Sequence, residues 1–131
     1  MIYEFLREQL ETLEDLTGGA YPGGVCADEV VAPFALYTFQ STEAERDLGG
    51  LIHHWTDNIF VDFCAETYDQ VHALWWAAAH RLCDLSNLDT GHGEYIFSIS
   101  CTAPEADGGD QDLGLMRKGM LVTILWCELG E

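Results

Sequence analysis

The pattern of apolar and polar positions is clearest in residues 55–85. From Ile59 to Ala65 the odd positions are all apolar, while the even positions are mixed. This period of two predicts a strand with one face in the core. Apolar residues then recur at helical spacing over 71–85, which predicts an amphipathic helix. A strand that runs through a short turn into such a helix must bury both apolar faces, so the rest of the chain has to supply more sheet.

The same reasoning places the other elements. Thr67, with Gln70 three residues later, predicts a capping box that starts the central helix. An apolar stripe predicts an earlier helix over 2–16, which Gly18 and Gly19 end. Aromatic or alternating runs predict three further strands, and polar or glycine-rich runs predict loops between them. The strands are Phe34–Gln40, Glu94–Thr102 and Gly119–Leu129, and the loops are 17–33, 41–50 and 86–93.

The order α-β-β-α-β-β predicts an α+β fold, in which two helices pack on a mainly antiparallel four-stranded sheet. At 131 residues the chain is expected to form one domain, 1–131. In the strand 94–102, Tyr95, Phe97, Ile99 and Cys101 are expected to share one face. The last strand is apolar on both faces, so it lies in the sheet interior or against another subunit.

The segment 103–118 is long for a loop inside a compact domain. It begins with four acids (Glu105, Asp107, Asp110 and Asp112) and continues into the apolar run 113–116. We therefore predict a projecting hairpin or arm that orders against a neighbouring molecule.

The charge balance is extreme, with 5 Lys and Arg against 23 Asp and Glu and a formal net charge of −18. Phosphate contacts depend on Lys and Arg, so the composition argues against a protein that grips DNA or anionic lipid. A high-salt host and an ordinary acidic protein both remain open as explanations. No apolar run reaches the roughly 18 residues of a membrane span, and no export signal or membrane association is expected.

The chain contains no strong catalytic or metal-binding motif. Its five cysteines include no C-x-x-C pair, which favours reduced thiols. His53 and His54 are neighbours on an extended segment and point to opposite faces, while His80 and Cys83 lack a third ligand nearby. The acidic loop 105–112 lacks the spacing of calcium-binding loops. We therefore expect no enzyme activity, no metal and no cofactor.

Trp76 is the least expected apolar residue. It lies off the core stripe of the central helix, near His72 and His80. A tryptophan in that position either covers the flank of the helix or contacts another subunit. Together with the last strand and the apolar half of 103–118, it favours an oligomer.

The order and content of these elements resemble the small tail-terminator, or tail-completion, proteins of long-tailed bacteriophages, the lambda-like group included. The likeness extends over nearly the whole chain. It is carried by an N-terminal helix, a Pro-led strand (PFALYTFQ), a strand running into a helix (IFVDFCAETYDQVHALWWAAAHRL) and a final strand after a long loop (GMLVTILWCEL). No residue in these segments is diagnostic in the way that a catalytic motif is.

The resemblance implies a structural role in the virion. Such proteins form a ring, typically hexameric, that caps the tail tube, ends its growth and joins the tail to the head. The implied partners are further copies of the chain, the major tail tube protein and the head–tail connector, with DNA passing through unbound. The expected location is the tail or neck of the particle, and the host cytoplasm during assembly.

Two other functions stay open: a neck or head–tail connector protein of the same particle, and a small acidic enzyme or ligand-binding domain that uses His80, Cys83 or His53–His54. For the ring, we expect the loops 41–54 and 103–118 and the last strand to supply the contacts. The predicted interface residues are Trp76, Glu43, Glu45, Asp47, Asp107, Asp110, Asp112, Leu113, Leu115, Met116 and Trp126.

Overall fold

The fold is a single layer of helices on one strongly curved sheet. A computed structural model describes residues 2–23, 31–46, 48–49, 52–103, 108–110 and 114–129. The elements are α1 (Ile2–Glu11), β1 (Ala20–Pro22), β2 (Phe34–Arg46), β3 (Ile52–Ala65), α2 (Tyr68–Cys83), β4 (Leu88–Asp89), β5 (Glu94–Thr102), β6 (Gly108–Asp110) and β7 (Leu115–Glu128). No helix in these ranges is long and apolar enough to cross a bilayer.

The sheet has more strands than the sequence predicts. Its main path is β1-β2-β3-β7-β5-β4, which curves into a half-barrel, and β6 pairs with β7 off this path. Neighbours are antiparallel except β1, which runs parallel to β2, so the sheet is mixed. The prediction of a four-stranded, mainly antiparallel sheet in the order α-β-β-α-β-β is therefore wrong. The strands it lacks have two or three residues each, too few to show a period.

The core lies between the two helices and one face of this sheet, which we call the closed face. Ile59, Val61 and Phe63 of β3 point into it and are fully buried, which confirms the predicted alternation. In the register of the sheet, Met120 and Val122 of β7 lie opposite Val61 and Ile59. The position of β7 between β3 and β5 confirms that the last strand lies in the sheet interior.

The helix α2 begins as predicted. The backbone N–H of Gln70 donates to Thr67 Oγ1 at 3.2 Å, and the backbone N–H of Thr67 donates to Gln70 Oε1 at 3.3 Å. These two bonds complete the capping box. The buried residues of α2 are Val71, Leu74, Trp75, Ala78 and Leu82, and they follow the predicted stripe.

The first helix is shorter than predicted. It ends at Glu11 rather than at residue 16. The backbone then makes a series of turns, each closed by a hydrogen bond between residues three positions apart, and Leu16 reaches the core. Glu14 and Asp15 explain part of this difference, because acidic side chains are unfavourable at the negative end of a helix dipole. The apolar spacing of Leu13 and Leu16 suits a tight turn as well as a helix.

The predicted loop 41–50 is largely strand. β2 continues to Arg46 and pairs with β3 in a long hairpin, with an irregularity between Phe39 and Ser41. The residues of β2 beyond this point are mostly exposed, so their sequence carries no apolar alternation. Their backbone groups are paired with β3 all the same, and this pairing extends β3 back to Ile52, so that His53 and His54 lie within a strand.

Strand β5 contains a bulge that changes the predicted facing of its residues. Ile96 lies opposite Trp126 and Ser98 lies opposite Leu125, which leaves Phe97 as an extra residue. The buried side chains are Ile96 and Ile99, whereas Phe97 is 38% exposed. The prediction that Tyr95, Phe97, Ile99 and Cys101 share one face is therefore wrong, because it assumed a regular strand.

Candidate functional site

The sheet has a second face that neither helix covers, and we call it the open face. Phe60 of β3 lies opposite Leu121 of β7, and Leu125 of β7 lies opposite Thr56. These side chains are only partly exposed, and they form an apolar centre on the side of the sheet away from both helices. Phe97 joins them, since its ring contacts His54 in a T-shaped arrangement at 6.4 Å.

Helix α2 carries a second exposed apolar surface, which we call the aromatic stripe: Tyr68, His72, Trp76 and His80. These residues are spaced by four, so they lie in a row along one side of the helix. Adjacent rings contact each other at centroid distances of 5.8, 6.2 and 5.9 Å. Trp76 Nε1 donates to His72 Nε2 at 2.9 Å, and Trp76 remains 50% exposed.

Those predicted interface residues that the structure describes lie in several different places. Trp76 is in the aromatic stripe, and Glu43 and Glu45 are exposed on the hairpin of β2 and β3. Leu115 and Met116 are half-buried in β7, where Met116 packs against the core. Asp110 lies in β6, while Asp47, Asp107, Asp112 and Leu113 are outside the described residues.

The segment 103–118 is only partly the predicted arm. Gly108–Asp110 pairs with Leu115–Arg117, so a short hairpin is present. Its second strand, however, is the first part of the central strand β7. Arg117 also forms an ion pair with Asp62 on the open face. Whether this hairpin orders against a neighbour stays a prediction.

Trp126 lies in a different place, on the wall of a pocket of about 470 Å³ at the end of the closed face beyond the helices. Its ring stacks on that of Trp55 at a centroid distance of 6.2 Å and an angle of 21°. Phe39 and Ile2 line the same pocket. These residues come from α1, β2, β3 and β7, so no local motif could reveal the pocket in the sequence.

Asp57 is the most unusual residue of this pocket. It is 2% exposed, and its Oδ1 has no hydrogen-bond partner within the described part of the chain. Burial raises the pKa of the Asp57 carboxyl. Hydrogen bonding from the hydroxyl of Thr42 and the indole of Trp126 opposes this rise in pKa. The Trp126 contact is a weak one, because no described acceptor has good hydrogen-bond geometry with Nε1.

Further acidic groups surround the pocket. Glu94 of β5, which is 5% exposed, lies directly opposite Glu128 of β7, and both line it. His92 stands beside them, and its Nε2 is 2.8 Å from Glu8 Oε1 of α1. Among the described residues that line the pocket there is no Lys or Arg. The pocket therefore combines aromatic walls with a concentration of carboxyl groups.

The residues weighed for metal or thiol chemistry in the sequence are the pairs His53–His54 and His80–Cys83. Across the described ranges, no group of three or more His, Cys, Asp and Glu is arranged to hold a metal ion. Cys83 lies next to Cys101 of β5, and burial followed by the hydrogen bond with Cys83 raises the pKa of the Cys101 thiol to about 12. A thiol with such a pKa is protonated at neutral pH and a poor nucleophile. No disulfide joins the cysteines that the structure describes.

Comparison with known proteins adds no family. No protein-family model matches the chain, and no curated protein shows detectable similarity to it.

Proposed function

We propose that this protein is a structural subunit that forms a closed ring at the head-proximal end of a phage tail tube. There it ends polymerisation of the tube and offers a surface to the head connector. The observation that supports this proposal is the presence of two different exposed apolar surfaces. The open face and the aromatic stripe lie on opposite sides of the sheet.

Two unlike surfaces favour a ring over a symmetric dimer. A twofold dimer uses the same patch on both subunits, so a single apolar surface would be enough. In a ring, one patch of each subunit docks on a different patch of the next, and the assembly closes when the rotation permits. The open face and the aromatic stripe are the two patches in this proposal, and the number of six subunits comes from the resemblance to tail terminators.

The charge is consistent with a channel for DNA. At a formal net charge of −18 the surface repels phosphate, and a passing duplex would not be held. Glu43 and Glu45 are exposed near the end of the hairpin formed by β2 and β3. We assign this hairpin to the rim or the lumen of the ring.

A complementation experiment tests the two-surface arrangement. Trp76→Glu places a charge in the aromatic stripe, and Phe97→Glu places a charge in the open face, so each variant disrupts one surface. Each variant alone is expected to stay monomeric in native mass spectrometry, in the presence of the tail tube protein if assembly requires it. An equimolar mixture is expected to give a 1:1 dimer and no ring, since only one intact interface can form between them.

The matched control is Val31→Ala, which changes an apolar side chain that is 76% exposed and belongs to neither surface. This control should assemble like the parent protein. Rings formed by Trp76→Glu alone, with the fold verified by circular dichroism, would overturn the proposed interface.

The biological role needs a separate test. Particles assembled without this protein are expected to have tails of uncontrolled length when imaged by electron microscopy, and tails of normal length would refute the role. Neighbouring genes for a head–tail adaptor and a major tail protein are expected, whereas a metabolic operon would contradict the proposal. Twelve copies on the portal side would instead identify a neck protein.

A further inference from the structure

The geometry points to a ligand site in the closed-face pocket, which takes an organic ammonium group carried on an aromatic or other apolar body. Asp57 is the group that would receive the ammonium, and Trp55, Trp126 and Phe39 would enclose the apolar body. This inference goes beyond the ring proposal and is independent of it, because none of these residues belongs to the open face or the aromatic stripe.

The state of Asp57 is the first argument. A buried carboxyl oxygen without a hydrogen-bond donor costs free energy. Such an atom in a folded protein calls for a specific explanation, and a bound group that supplies the donor is one. Oδ1 is such an atom, on a side chain that is almost completely buried and lines the pocket. An ammonium group supplies both an N–H donor for this oxygen and a charge that favours the ionised carboxylate.

The charge around the pocket is the second argument. Glu94 and Glu128 lie directly opposite each other on adjacent strands, where two like charges are unfavourable. A cation between the strands and Asp57 reduces this repulsion. An anion or a neutral acceptor would increase it or leave it unchanged, since the lining residues that the structure describes include no Lys or Arg.

The walls are the third argument. The rings of Trp55 and Trp126 are nearly parallel, and aromatic faces attract ammonium groups as well as apolar bodies. The volume of about 470 Å³ is that of a pocket for a small molecule rather than for a bare ion. The absence of a metal-binding group among the described side chains agrees with an organic cation.

Calorimetric titration with two matched compounds tests this site. Benzylamine is a cation at neutral pH, and benzyl alcohol has the same ring and a neutral hydroxyl. We expect benzylamine to bind at least about tenfold more tightly, which corresponds to about 1.4 kcal/mol. Equal affinities, or no heat from either compound at millimolar concentration, would overturn the inference without any variant.

Two substitutions and one control locate the binding. Asp57→Asn is expected to reduce benzylamine affinity at least about tenfold and to leave benzyl alcohol unaffected. Trp55→Leu should weaken both compounds, since it removes an aromatic wall. Glu66→Gln removes a similar charge from an exposed residue outside the pocket and should change neither affinity. Unchanged benzylamine binding by Asp57→Asn would refute the site.

Discussion

The two faces of the sheet are built from alternate residues of the same strands, yet they have different roles. On β3, Val61 is fully buried against the helices, while the adjacent Phe60 is only partly covered on the open face. On β7 the same contrast separates Val122 from Leu121. The two helices cover the closed face, and neither helix covers the open face.

The difference does not come from the residue types. Phe60, Leu121 and Leu125 are as apolar as the residues of the core, so hydrophobicity alone does not decide which face is covered. What decides it is that α1 and α2 both pack on one side. Apolar side chains that remain near the surface of a strand centre are typical of a face that another molecule covers.

The largest expected effect separates the two faces directly. Phe63→Ala empties a fully buried position and should lower the free energy of unfolding by about 3–5 kcal/mol. Phe60→Ala should lower it by about 1 kcal/mol, because that side chain is already partly solvated, but it should abolish ring assembly. Urea denaturation of both variants measures the difference. Equal losses of stability would remove the distinction between the faces.

The next effect concerns the helix layer that closes one face. Thr67→Ala removes the side chain that caps α2 and should lower the free energy of unfolding by about 1–2 kcal/mol. Thr67→Ser keeps the hydroxyl and is the matched control. The substitution should not weaken assembly of the folded protein, because Thr67 belongs to neither the open face nor the aromatic stripe. A loss of the ring in the folded variant would show that the cap itself takes part in association.

A third prediction concerns the exception on the closed face, the buried Asp57. Its pKa is raised above the unfolded value of 3.8, so at neutral pH the folded protein carries a buried charge that destabilises it. Asp57→Asn lacks this charge and should be more stable at neutral pH, by an amount on the order of 1 kcal/mol. The advantage should shrink as the pH falls and should vanish below 3.8, where Asp57 is protonated in both states. Melting temperatures between about pH 4 and about pH 8 measure this dependence.

The smallest effect belongs to the open face. Asp62→Asn breaks the ion pair with Arg117, whose side chain is 39% exposed, and should cost about 0.5 kcal/mol at low salt. The loss should fall as salt is added, because solvent and ions screen the pair. Chemical denaturation at two salt concentrations measures it. A loss as large as that of Phe63→Ala would mean that the open face contributes to the fold as much as the closed face does.

The sequence predicted the parts of the fold in which a period is long enough to read. The strand at Ile59–Ala65 and the helix that follows are correct because their apolar spacing persists over several turns or pairs. The capping box is correct because Thr67 and Gln70 have the residue types and the spacing of that motif. β1, β4 and β6 were missed because two or three residues contain no period. The exposed half of β2 was missed because its pairing depends on backbone groups, which the sequence does not display.

The candidate surfaces were predictable in part. The spacing of four is enough to predict the whole aromatic stripe, whereas the expectation for Trp76 includes only His72 and His80 and omits Tyr68. The pocket could not, because Asp57, Glu94 and Trp126 meet only after three separate strands have taken their register. Trp126 lines this pocket, and its place in an interface stays a prediction.

The bulge in β5 suggests how the apolar surface of the open face can arise. Without Phe97, the register on both sides of it would join into one regular strand, with Ile96 and Ile99 still directed to the core and Ser98 away from it. The extra aromatic side chain is therefore an insertion that leaves the interior untouched. A single codon gained at this point is enough to enlarge the outer apolar surface, and losing it would return a regular strand without a compensating change elsewhere.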